Sequence, residues 1–222
     1  MLAKERGIAL VIDETYRDLI PSGHPHMLFS PTTDWEWRKN FIHLFSFSKS
    51  YCVPGHRLGA IVASPTFLNQ VNTVLDCMQV RMTSFIPKVT RFSLDQICPP
   101  RPIQIALSPL VAGLRPFIRE TTQSLVKRHD LFRSILPPGW TIGSQGGYYA
   151  FVRHPFEGVS ALDVSMRLAK EMGVVTLPAS FFGLGGPDGD RWIRFSIANV
   201  NEERLQKVRE RLVECERTFG VW

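Results

Sequence analysis

Three short apolar runs, residues 7–13 (GIALVID), 41–47 (FIHLFSF) and 58–63 (LGAIVA), constrain the fold of this chain more than anything else in it. Each is nearly continuous in its hydrophobicity, as strands covered on both faces are, whereas half-buried strands alternate. The intervals between them are too long for hairpins, so the runs predict α/β architecture with a mainly parallel sheet. The first run ends in acids, which places polar groups at the C-terminal end of a strand.

From Pro65 the period changes. Phe67, Val71, Val74, Leu75 and Met78 recur at spacings of three and four, which predicts a helix. Further helices are expected near Pro102 and over residues 116–136, where proline suits a first helical position because its missing N–H needs no partner there. Pro137-Pro138-Gly139 stops the last of these. Beyond it a smaller α/β unit is expected, with strands at 148–152 and 192–197. Ser160 is the expected N-cap of a helix over 161–172, with Gly173 in the left-handed position that ends it. Asn201 caps the final helix, whose first turn carries Glu202 and Glu203 and whose buried stripe is Leu205, Val208, Leu212 and Cys215. The boundary between domains is expected near residue 138, giving domains of 1–138 and 139–222.

Composition excludes several classes. With 222 residues, 44% of them hydrophobic and 21% charged, the chain can bury a core without disulfide staples and is too apolar for a disordered one. Cys52, Cys77, Cys98 and Cys215 form no CxxC and read as reduced thiols. No apolar run reaches the roughly 18 residues a membrane span needs, and the first six residues are too charged for a signal peptide, so a soluble cytoplasmic protein is expected. The formal charge of +6 comes from scattered basic residues beside acids, without a nucleic-acid-binding motif. His24 and His26 flank Pro25 with no third ligand, so no metal site is expected. The loop FGLGGPDGD lacks the GxGxxG spacing of a dinucleotide site.

A lysine in unusual company remains. Lys49 follows the second apolar run, at the strand end where open α/β sheets build their sites. Ser46 and Ser48 precede it and Arg57 follows, a set of hydroxyls and a guanidinium suited to a phosphorylated ligand. Asp13 and Tyr16 end the first run three residues apart, and Arg194 interrupts the apolar pattern of RWIRFSIANV. A lysine nucleophile, an acid, a phenol, a phosphate clamp and a second arginine together make up a pyridoxal phosphate site.

In these segments the chain resembles the C-terminal part of class I/II pyridoxal-phosphate-dependent aminotransferases, of fold type I. VIDETY is similar to the DExY strand end, SFSKSYCVPGHRLG to the SxSKxxxxPGxRxG lysine block, and LPASFFG with RWIRFSIANV to the PGxxFG and RxSFA segments. His56 stands where an aromatic is more usual, and Ala179 replaces a glycine. The resemblance implies a partial large domain with a mainly parallel sheet and a connecting helix, followed by a small C-terminal domain.

It also implies roles. Lys49 would hold pyridoxal 5'-phosphate through a Schiff base and shuttle a proton; Asp13 would pair with the pyridine nitrogen and Tyr16 with the ring's phenolic oxygen. Ser46, Arg57 and, more weakly, Ser48 would anchor the phosphate, while Arg194 would bind the α-carboxylate of an amino acid or 2-oxo acid. The implied whole is a homodimeric transaminase, with about half its chain upstream of Met1. That upstream half would carry a phosphate-capping glycine turn, a ring-stacking aromatic and an asparagine. Two alternatives stay open: a non-catalytic remnant or dimerisation module of the same fold, and a carbon–sulfur lyase or aminocyclopropane-carboxylate synthase-like enzyme using the same residues.

Overall fold

The computed structural model describes residues 2–19, 40–84, 101–184 and 186–219. His24, His26 and Cys98, and the side chain of Cys77, lie outside the described part. The described residues form two compact units, one of 2–18, 40–84 and 101–119, the other of 19, 120–184 and 186–219. The division falls inside the helix Arg115–Ile135.

In the first unit, β1 (Leu10–Asp13) runs parallel to β2 (Phe41–Ser46), with Asp13 opposite Leu44. β3 (Gly59–Val62) lies on the other side of β2 and is antiparallel to it, Gly59 standing opposite Ser46. A mainly parallel sheet therefore describes the β1–β2 pair and not β3. The physical reason is the connection. Residues 47–58 contain only one helical turn, α1 (Phe47–Ser50), and a 3-10 turn, Pro54–His56, with no crossover helix to return the chain to the start of β2. Gly59 keeps the β2–β3 pair close, since a Cβ there would lie 3.2 Å from the Phe45 carbonyl oxygen, a tight contact that a side chain would have to push apart.

The core of this unit is small. Tyr51, Leu58, Leu107 and Ile118 are buried, with Phe45, Phe47 and Val53 packed against them. Edge-to-face contact of Phe45 with Phe47 at 5.2 Å, and a tilted contact of Phe47 with Tyr51 at 5.5 Å, carry packing from β2 through the α1 turn. The helices expected from Pro65 and near Pro102 are present as α2 (Pro65–Ser84) and α3 (Arg101–Leu107). α2 leaves Phe67, Val74 and Leu75 of its apolar stripe exposed.

The helix shared by the two units is α4 (Arg115–Ile135). The second unit is an antiparallel sheet of order β4-β5-β7-β6, made of Thr141–Gly146, Tyr149–Arg153, Trp192–Ser196 and Leu177–Pro178 respectively. Along β5 and β7 the buried residues alternate, with Ala150, Val152, Ile193 and Phe195 facing the core. Val164 and Leu168 of α5 (Ala161–Glu171), with Leu205, Leu212 and Cys215 of α6 (Glu202–Thr218), cover that face. Each such side chain stabilises the unit by about 1.5–3 kcal/mol.

The predicted caps are present. Ser160 Oγ accepts from the Asp163 N–H at 3.1 Å and Asn201 Oδ1 from the Arg204 N–H at 3.0 Å. Gly173 adopts φ 62°, which lets the Val174 N–H reach back to the Leu168 carbonyl at 2.9 Å. β4 is a strand the sequence did not suggest. Its glycines lower its intrinsic preference, yet Gly143 is where the Trp192 ring passes, 2.4 Å from an added Cβ. Among the described residues no helix is long and apolar enough to cross a membrane, and no cluster of His, Cys, Asp or Glu could hold a metal ion.

Candidate functional site

The strand register of the first unit gathers five of the sequence-predicted residues at one edge. Asp13 ends β1 beside Leu44, and two residues beyond Leu44 the chain reaches Ser46, the last residue of β2. Ser46 lies opposite Gly59, and the Phe47 N–H donates to the Leu58 carbonyl at 3.1 Å, so Arg57 enters at the same edge from the β3 side. Lys49 lies in the α1 turn that caps the edge, half-buried, with its Nζ 6.0 Å from the centre of the Tyr16 ring. Ser48, the weaker phosphate candidate, is buried in the same turn.

Each group has a local reason for its position. Ser46 Oγ accepts from the Ser48 N–H at 3.3 Å, which opens the α1 turn and leaves the hydroxyl hydrogen able to donate. Asp13 Oδ1 accepts from both the Thr15 N–H at 3.0 Å and the Thr15 hydroxyl at 2.7 Å. The hydroxyl bond first, and the backbone bond second, hold the Asp13 carboxyl below its usual range, so it is an anion at neutral pH. Arg57 stands at φ 50°, ψ 47°, the left-handed region that a residue with a Cβ seldom occupies, and its Nη1 donates to the Pro54 carbonyl at 3.1 Å.

Neighbours that the sequence reading passed over support the edge. Glu14 is buried, and its Oε2 lies 2.6 Å from both Arg17 Nη1 and His43 Nε2, tying the DETY turn back to β2. Ser50 is fully buried, and its hydroxyl has no hydrogen-bond partner among the described residues.

Arg194 belongs to the second unit. It is half-buried on β7, directly opposite Phe151 of β5 and Leu177 of β6. Its guanidinium carbon lies 4.1 Å from the centre of the Tyr149 ring and 4.1 Å from the centre of the Phe182 ring. Among the described residues it forms no ion pair.

The family model for aminotransferase class I and II matches residues 1–212. The chain belongs to this family. An aspartate aminotransferase of Sulfolobus acidocaldarius is 27% identical, the match covering 94% of this chain and 49% of that protein. Among solved structures, a probable N-succinyldiaminopimelate aminotransferase of Thermus thermophilus aligns with a TM-score of 0.71 at 24% identity, over 96% of this chain and 51% of that one. The α-aminoadipate aminotransferase of the same organism, solved with N-(5'-phosphopyridoxyl)-L-leucine, aligns at 0.68 and 23% identity over 97% of this chain and 52% of that one. The chain spans about half the length of the curated relatives it matches. The structural likenesses establish that the fold is that of the aminotransferases.

The contacts of Tyr149 and Phe182 with Arg194 are not marked by the motifs of the sequence, although Phe182 is an aromatic of LPASFFG. The available signal was an arginine on a strand whose neighbours across the sheet include aromatic residues on the same face.

Proposed function

We propose that the chain forms the lysine-bearing and carboxylate-binding part of a pyridoxal-phosphate-dependent transaminase that interconverts amino acids and 2-oxo acids. What supports the reading is the strand register that sets Asp13, Ser46 and the Arg57 and Lys49 turns at one end of the β1–β2–β3 sheet, with Lys49 Nζ 6.0 Å from the centre of the Tyr16 ring. The donor set fits the cofactor. An Asp13 carboxylate kept ionised by Thr15 suits a protonated ring nitrogen, and two hydroxyls with a guanidinium suit a phosphate. When bound, pyridoxal phosphate supplies an electron-poor ring that stabilises negative charge developing at the substrate Cα.

The residues of this chain do the rest. Lys49 holds the cofactor and moves a proton to and from the substrate Cα. Asp13 accepts from the ring N–H and keeps it protonated, and Tyr16 donates to the ring oxygen. Ser46, Ser48 and Arg57 donate to phosphate oxygens. Arg194 forks onto the substrate α-carboxylate, which favours amino and 2-oxo acids over simple amines. On this reading residues 1–138 are cofactor-domain chain with a connecting helix and 139–222 the small domain. The full-length form is a cytoplasmic homodimer.

Trapping tests it. The full chain is incubated with pyridoxal phosphate, reduced with borohydride and digested, and the adduct is mapped by mass spectrometry. The expected adduct is on Lys49 and is lost in Lys49→Arg; labelling spread over surface lysines, or none, overturns cofactor binding and leaves a non-catalytic member of the family. In a separate sample with unreduced cofactor, 2-oxo acid formation without ammonia release distinguishes transamination from a lyase reaction.

A further inference from the structure

The Arg194 guanidinium lies against two rings. Tyr149 and Phe182 each place a ring centre 4.1 Å from its central carbon. That separation is stacking distance, at which a ring attracts a cation and excludes water from its face. A guanidinium with a ring against its face still presents its in-plane N–H edge, the geometry in which two parallel N–H groups meet the two oxygens of a carboxylate.

The bracket is itself built in. Tyr149 pairs with Ser196 and Phe151 with Arg194 across the β5–β7 ladder, so Tyr149, Phe151, Arg194 and Ser196 share one face of the sheet. Phe182 comes from the 3-10 turn Ala179–Phe182, which follows β6, and β6 pairs Leu177 with Arg194. Its ring also meets Phe151 edge to face at 5.9 Å, which fixes the second wall from a strand residue. Without such walls an arginine loses more of its side-chain rotational freedom on binding.

We propose that Tyr149 and Phe182 are positioning residues that clamp Arg194 against their rings and present its N–H edge to the carboxylate of a 2-oxo or amino acid. This rests on the reading of Arg194 as the carboxylate anchor. The tyrosine hydroxyl takes no part in it; the ring does.

Titration of the full chain, without cofactor, with pyruvate separates the two claims. Binding is followed by the Nε–Hε nuclear magnetic resonance signal of Arg194, together with the order parameter of that bond. Tyr149→Leu and Phe182→Leu are each expected to raise the pyruvate Kd about tenfold and to lower the order parameter, while Tyr149→Phe and Phe182→Tyr stay within about twofold of wild type. Unchanged amide spectra confirm that the variants fold. Leucine variants with wild-type Kd and order overturn the clamp, provided Arg194→Gln abolishes binding. An Arg194→Gln variant that binds like wild type, or a wild-type chain that does not bind pyruvate, overturns the anchor reading itself.

Discussion

Arg57 shows how a single backbone conformation separates stability from function. Its φ of 50° costs about 1–3 kcal/mol for a residue carrying a Cβ, and glycine would adopt it freely. If only folding mattered, glycine would serve better here. Arg57→Gly is therefore expected to leave the melting temperature unchanged or raise it, while weakening pyridoxal phosphate binding about 10- to 100-fold through loss of a charge-assisted phosphate contact. Thermal melts and a fluorescence titration of the same variant check both halves; equal cofactor affinity in the glycine variant would remove Arg57 from the phosphate site. Asp13, Ser46, Lys49 and Arg57 were legible in the sequence because their spacing along the chain is set by strand ends and tight turns. Tyr149 and Phe182 were not, because what distinguishes them is contact with Arg194, which lies 45 and 12 positions further along the chain respectively.

Among the elements, local chemistry was readable and pairing was not. Ser160, Gly173 and Asn201 mark their helices through hydrogen bonds spanning a few residues, and the observed ends follow them. The direction of β3 and the existence of β4 depend on partners far along the chain, so hydrophobic pattern alone could not supply them. The junction closing β5 onto β7 illustrates such a partner. His154 is fully buried just past β5, its N–H donates to the Arg191 carbonyl at 3.1 Å, and Arg191 Nη2 donates back to the His154 carbonyl at 3.0 Å. Burial first, and the Arg191 charge second, lower the His154 pKa from 6.5 to about 4. The native ring stays neutral where the unfolded ring takes up a proton. Above pH 6.5 the group adds no pH dependence; between 6.5 and about 4 stability falls as pH falls, by at most about 1.4 kcal/mol per pH unit. Urea midpoints measured from pH 8 to 4.5 should therefore decline less steeply in His154→Leu than in wild type. Parallel pH profiles would show that His154 is charged in the native state.

The described parts of the two units differ in how much apolar surface they enclose, which predicts where they open first. Among the described residues the second unit has a cluster of sixteen buried residues, Phe132 through Phe219, whereas the first has one of four, and its strands leave Val11, Ile61 and Val62 exposed. Local opening free energy follows buried apolar contact, so amide exchange should be slowest in β5, β7, α5 and α6 and faster in β1 and β3. Pyridoxal phosphate then acts as a probe of which unit it engages. A ligand at 100 times its Kd stabilises the conformation it binds by about 2.7 kcal/mol. If the site is the edge formed by β1, β2 and the Lys49 turn, saturating cofactor should slow exchange in residues 10–13 and 41–50 far more than in 192–196. Equal slowing in both regions would mean that they open as one cooperative body, and slowing confined to 192–196 would move the cofactor site away from Lys49.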